Sequence, residues 1–141
     1  MAVFIPLENP KATAVAGAAI GEGLFVKYNG AGTEVEVGDG AAVHVAGVTA
    51  EKSDADGDGV RLYALDQYAR VIAGENLVAS NGAVDCRLTC GSGGNAGKAM
   101  KAGNTNPIWA MWMPKPGESA SAGDFITVQL IQAGGKVVDD A

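Results

Sequence analysis

Asp54, Asp56 and Asp58 alternate with Ala55 and Gly57 and are followed by Gly59. That is the opening spacing of a calcium loop, with oxygens at alternate positions and a glycine at the sixth. The twelfth position of such a loop needs a bidentate Glu and here holds Leu65, and the flanks read as strands where helices are required. A polar hairpin tip is the simpler reading, because Ser119-Ala120-Ser121-Ala122-Gly123 takes the same place in the second half without a carboxylate; a weak calcium site is the alternative. Gly91-Ser92-Gly93-Gly94-Asn95-Ala96-Gly97-Lys98 has the glycine content of a phosphate cradle. Its spacing puts Ser92 where the first glycine belongs, and Ala99 follows the lysine where a magnesium-binding hydroxyl is required. The stretch is expected to be a mobile surface loop.

No nucleophile can be paired with a base. His44 is the one histidine and falls on an expected strand between Val43 and Val45, where its side chain should face water. Asp66 follows a strand and is expected to do turn chemistry. Cys86 and Cys90 on a continuous strand would lie ~13 Å apart, at ~3.3 Å per residue, beyond the ~7 Å between Cα atoms that a disulfide tolerates. Reduced, packed thiols are expected, and with a single histidine and no further Cys-x-x-Cys the ligands of a metal site are not assembled. The reading is therefore of a non-enzyme, with no catalytic residue, metal or cofactor.

Trp109, Trp112 and Met113, with Met111, form the richest aromatic and sulfur cluster. On a strand the two indoles have opposite parity and point to opposite faces. Either both are core, or one is exposed at a contact of the kind that enriches Trp and Met. Trp109, Trp112 and Met113 are accordingly candidate interface residues.

What must position these side chains is a set of short strands. Glycine supplies 21 of 141 residues, about twice the usual ~7%. Val, Ile, Tyr and Phe lie between the glycines, and long stretches with helical apolar spacing are missing. The expected fold is all-β, a compact sandwich or barrel-like domain with an internal pseudo-two-fold repeat. Gly21-Glu22-Gly23-Leu24-Phe25-Val26-Lys27-Tyr28-Asn29-Gly30 returns, one residue shorter, as Gly74-Glu75-Asn76-Leu77-Val78-Ala79-Ser80-Asn81-Gly82. A second echo relates Val45–Thr49 and Val60–Leu65 to Ile108–Trp112 and Phe125–Leu130.

Two similar units follow, residues 18–69 and 70–131, within one domain. Strands are expected at Leu24–Tyr28, Glu34–Val37, Val43–Val48 and Val60–Leu65, then at Asn76–Ala79, Val84–Thr89, Ile108–Met113 and Phe125–Ile131. Residues 1–17, with Pro6 and Pro10, read as an extended arm in which Val3, Phe4 and Ile5 are candidate contacts to a neighbour. Residues 132–141 read as a loose tail, with brief pairing open to Lys136-Val137-Val138.

The formal net charge is −6 and the basic residues do not cluster, which argues against nucleic acid as a partner. No apolar run reaches the ~18 residues of a membrane span, so no membrane partner is expected. The start, Met1-Ala2-Val3-Phe4-Ile5-Pro6, lacks the basic region and apolar core of a signal peptide, so synthesis in the cytoplasm is expected.

Ala99-Met100-Lys101-Ala102 resembles the turn on which biotinyl domains carry their cofactor, but Lys98 and Ala102 stand where that family has Glu and a second Met. A wider resemblance rests on Ala18-Ala19-Ile20-Gly21-Glu22-Gly23-Leu24-Phe25-Val26, then Val45-Ala46-Gly47-Val48-Thr49, then Gly59-Val60-Arg61-Leu62-Tyr63. This succession resembles the small capsid decoration (cement) proteins of tailed phages and spans residues 18–130. The resemblance implies a β-rich virion protein on the outer capsid surface, commonly a homotrimer, whose partner is the major capsid protein and which carries no catalytic residues. The insertion 91–107 departs from that pattern.

Overall fold

Alternation in Phe125-Ile126-Thr127-Val128-Gln129-Leu130 buries Ile126, Val128 and Leu130 and turns the other three outward. The computed structural model describes residues 9–40, 44–64, 66–79, 86–103, 107–114 and 117–131, with the backbone of 136–137. The first half contributes β1 (Ala12–Val15), β2 (Phe25–Tyr28), β3 (Val35–Val37), β4 (Gly47–Thr49) and β5 (Gly59–Tyr63) to one antiparallel sheet in the order β1-β5-β4-β2-β3. The second half contributes β6 (Tyr68–Ile72), β8 (Arg87–Cys90), β9 (Ala99–Lys101), β11 (Ala110–Trp112) and β13 (Phe125–Leu130) in the order β6-β13-β11-β8-β9. Two small ribbons complete the fold: β7 (Leu77–Val78) with β12 (Ser119–Ala120), and β10 (Pro107–Ile108) with β14 (Lys136–Val137).

The two sheets are the same object built twice, pairing for pairing. Val15 opposite Gly59 answers to Ile72 opposite Phe125, and Val26 opposite Gly47 answers to Leu88 opposite Ala110. Lys27 opposite Glu36 answers to Thr89 opposite Met100. Each sheet then curls until its edges meet through one parallel bridge, Ala16 with Val35 and Ala73 with Ala99. Closure of this kind shields strand edges that would otherwise be open to foreign pairing. Inside the first curled sheet lie Ala16, Ile20, Val26, Val35, Val60 and Leu62. Their counterparts by register, Ala73, Leu77, Leu88, Ala99, Ile126 and Val128, fill the second.

This symmetry corrects the first repeat and the unit boundaries. Ile20, bridged to Ser53, answers to Leu77 beside Ser119 and Ala120, so Gly74 corresponds to Gly17 and not to Gly21. The strand equivalent to β2 is β8. Residues 12–17, expected within the arm, form β1 and its closing bridge, with Ala12 and Ala14 turned toward the first core. A division at 69/70 would cut β6, which answers to β1; the turn before Tyr68 separates the units. The Lys136–Val137 part of the expected loose tail is paired with β10, and residues 1–8 and 138–141 lie outside the described residues.

A buried glutamine fastens the start of β1. The Gln67 Oε1 accepts the N–H groups of Lys11 (3.1 Å) and Ala64 (2.9 Å), while its Nε2 donates to the carbonyl of Asn9 (2.8 Å). Gln67→Leu keeps the size and removes all three bonds. It is expected to cost about 1–3 kcal/mol through the stranded donors, with faster amide hydrogen exchange at Lys11 and Ala64. Unchanged exchange at both amides would show that the glutamine holds nothing.

Candidate partner-binding surface

The two units are joined by the glycine stretch of the second. Gly91–Lys98 is the turn between β8 and β9, the counterpart of the exposed Asn29–Glu34 turn of the first unit, and it contains one 3-10 turn at Gly93–Asn95. Its middle, residues 92–94, is at the surface as expected, but its ends are buried against the first unit. Gly97 accepts the N–H of Phe25 (2.8 Å), Gly91 accepts that of Gly40 (2.8 Å), and Gly93 donates to Asp39 Oδ1 (3.0 Å). Around this seam Phe25, Val45, Val48 and Tyr63 of the first unit share one apolar cluster with the second core. Ala99-Met100-Lys101 is strand β9 rather than a turn, with Ala99 fully buried.

The Asp54–Gly59 stretch folds as a tip held by its own side chain. Asp58 Oδ2 accepts the N–H groups of Asp54 and Ala55, both at 3.1 Å. In the second unit Asp124 Oδ2 accepts the N–H of Ser121 at 2.9 Å, so the same turn chemistry recurs at the corresponding place. Beside the first tip, a hydrogen bond with Asp56 and the charge of that carboxylate raise the pKa of Glu34. Asp66 takes a positive φ of 79°, with its N–H on the carbonyl of Leu130 (3.1 Å), in keeping with a turn role.

Both indoles are buried, at 3% exposure for Trp109 and 4% for Trp112. Trp112 stands opposite Val128 in the second core, while Trp109, just before β11, makes a T-shaped contact with the His44 ring at 5.2 Å and 77°. His44 is exposed, as expected, and brings its ring from the first unit onto that indole. The reading in which one tryptophan is a surface anchor is therefore corrected: the cover over Trp109 comes from the other half of the chain. Met113 is half-buried, and Val3, Phe4 and Ile5 lie outside the described residues.

Cys86 and Cys90 are free and buried. Burial raises the pKa of the Cys90 thiol, chiefly by removing the thiolate from water. Alkylation of Cys90 by iodoacetamide near pH 8 is expected to run roughly a hundredfold slower in the native protein than in the unfolded chain. Mass spectrometry of peptides after timed labelling measures this; equal rates would contradict the packed-thiol description.

Met113 leads from the core to an open depression of about 420 Å³, which Trp112, Arg70 and Phe125 also line. Phe125 is 42% exposed, its ring edge lies against Gly23, and the Arg70 guanidinium sits 5.4 Å from the ring centroid. Neither Arg70 nor Phe125 stood out in the sequence. Their one signal is outward parity on β6 and β13, where a large aromatic ring would otherwise be wasted on water.

The class defined by this architecture is a duplicated all-β scaffold of two curled five-stranded sheets welded into one body. Its fold is similar to that of the head fiber gp8.5 N base of bacteriophage phi29, with a TM-score of 0.60 at 21% sequence identity, covering 86% of this chain and 92% of that one. No family model and no curated protein matches the chain.

Proposed function

We propose that this chain is a non-enzymatic structural protein of a phage virion, which binds the outer surface of an expanded icosahedral capsid and stabilises the head by bridging coat subunits. The observation that carries this reading is the fold likeness to a head fiber base, which extends over nearly the whole of both chains. Short motifs that resemble capsid decoration proteins support it independently. So does the physics of the scaffold, whose interiors are packed with apolar side chains and whose polar turns are spent on their own hydrogen bonds. A rigid body repeated many times over a shell gains strength by multivalency rather than by one tight contact. A homotrimer suits three-fold positions, and a cyclic assembly would cover exposed apolar side chains such as Val15, Tyr28 and Val78. The head fiber likeness favours one second reading, in which the chain is the base of a longer appendage.

Expanded empty capsids mixed with the purified protein are the test. Saturable binding in sedimentation, a raised capsid melting temperature and three-fold density by electron microscopy are expected. Failure to bind either expanded or unexpanded capsids would reject a capsid-surface role, while binding confined to a vertex would select the appendage base.

A further inference from the structure

Two arginines stand on the outer faces of the two units and end differently. In the first unit Arg61 closes on Glu51, with Nε and Nη2 both 2.9 Å from Oε1. In the second, Arg70 lies over the Phe125 ring and makes no ion pair among the described residues. Register equates Arg70, Phe125 and Thr127 with Thr13, Gly59 and Arg61, so this pairing of cation and ring belongs to the second unit alone. A cation–π contact engages the ring face without consuming the N–H donors of the guanidinium, which leaves its fork available to a carboxylate.

The backbone beside it is also unpaired among the described residues. Asp124 accepts the N–H of Ala73 on the β6 side, and Thr127 accepts that of Met113 on the β11 side. Phe125 shares the parity of Thr127, so its N–H and C=O point away from β6, past the last residue of β11. We propose that this depression seats an extended segment of a partner protein, which presents a carboxylate side chain to the Arg70 guanidinium and its own backbone to Phe125. Its volume lies within the range of sites for small ligands and short peptides. Glu118 and Asp124 line the same rim, and Asp124 already accepts from Ser121. Their charges, with a net −6 overall, repel a free anion and select a segment in which one acidic residue stands among neutral or basic ones. The seat rests on geometry; only its assignment to a coat subunit rests on the capsid reading.

The probes are a capped pentapeptide with glutamate at its centre, the same peptide with glutamine, and inorganic phosphate. The glutamate peptide is expected to shift the Arg70 Nε–H and Phe125 amide resonances saturably. The glutamine peptide and phosphate should not, and Arg70→Gln should abolish the Phe125 response. Equal responses to all three probes, or an equal shift at Arg61, would overturn the seat. In a second arm, Arg70→Gln and Arg70→Lys are each expected to weaken binding to expanded capsids about tenfold, since lysine keeps the charge and loses the fork. Capsids that bind wild type and Arg70→Gln equally would sink the inference while sparing the capsid role. Peptide shifts at Arg70 in a protein that ignores capsids would do the reverse.

Discussion

Gly97→Ala is expected to destabilise the protein by about 3–4 kcal/mol, the sum of left-handed backbone strain and overpacking. The residue sits at φ +77° and touches the other unit on three sides. A Cβ there would lie 2.7 Å from Val37 Cγ1, 3.1 Å from Leu24 Cβ and 3.2 Å from the Phe25 carbonyl oxygen. Two of those neighbours are backbone or backbone-proximal and cannot swing aside, so the two units must part slightly. Gly94, three residues earlier in the same turn, has nothing within 4 Å of its added Cβ, and alanine there should change stability by less than about 1 kcal/mol. Urea titrations of the two variants decide the matter. Val37→Ala in the Gly97→Ala background should recover part of the loss, because it removes the closest obstacle. Equal midpoints for the two glycine variants would mean that the turn is not the weld between the units.

The strands with clear alternation were legible in the sequence. β2, β3, β5 and β13 stand within a residue or two of their expected bounds, because Val, Ile, Phe and Tyr alternate with polar residues there. β1 was not legible: Ala12-Thr13-Ala14-Val15 carries only small inward side chains, since it packs close to the seam of its curled sheet. The duplication was visible but read in the wrong register. Identical Gly-Glu pairs drew the alignment to Gly21 and Gly74, whereas Val15-Ala16-Gly17-Ala18-Ala19-Ile20 against Ile72-Ala73-Gly74-Glu75-Asn76-Leu77 keeps the apolar positions in step. Of the two readings open for the tryptophans, burial of both is the one the structure shows. Strand spacing alone could not foresee that His44, from the other unit, meets the Trp109 indole edge-on. The glycine stretch misled for a related reason. Glycine marks a mobile loop and a close approach equally well, and only the neighbouring unit decides between them.

Trp112→Ala is expected to cost about 3–5 kcal/mol, the usual range for truncating a buried indole. The first unit shows why the loss is specific to packing. At the position equivalent to Trp112 it has Thr49, whose hydroxyl donates to the Gly21 carbonyl at 2.8 Å and accepts the Leu24 N–H at 3.1 Å. One curled sheet thus fills this slot with a small polar group that satisfies two backbone partners, and its twin fills it with a large apolar ring against Val128. Thr49→Val should therefore act through hydrogen bonding and cost about 1–3 kcal/mol by stranding those partners. Trp112→Phe, which keeps an aromatic ring in place, should lose less than Trp112→Ala. The void left by alanine opens into the depression lined by Arg70 and Phe125, so water can enter and the loss should fall toward the lower end of its range. Denaturant melts of the three variants separate these effects, and a cost below about 1 kcal/mol for Trp112→Ala would mean that the second core does not rest on this ring.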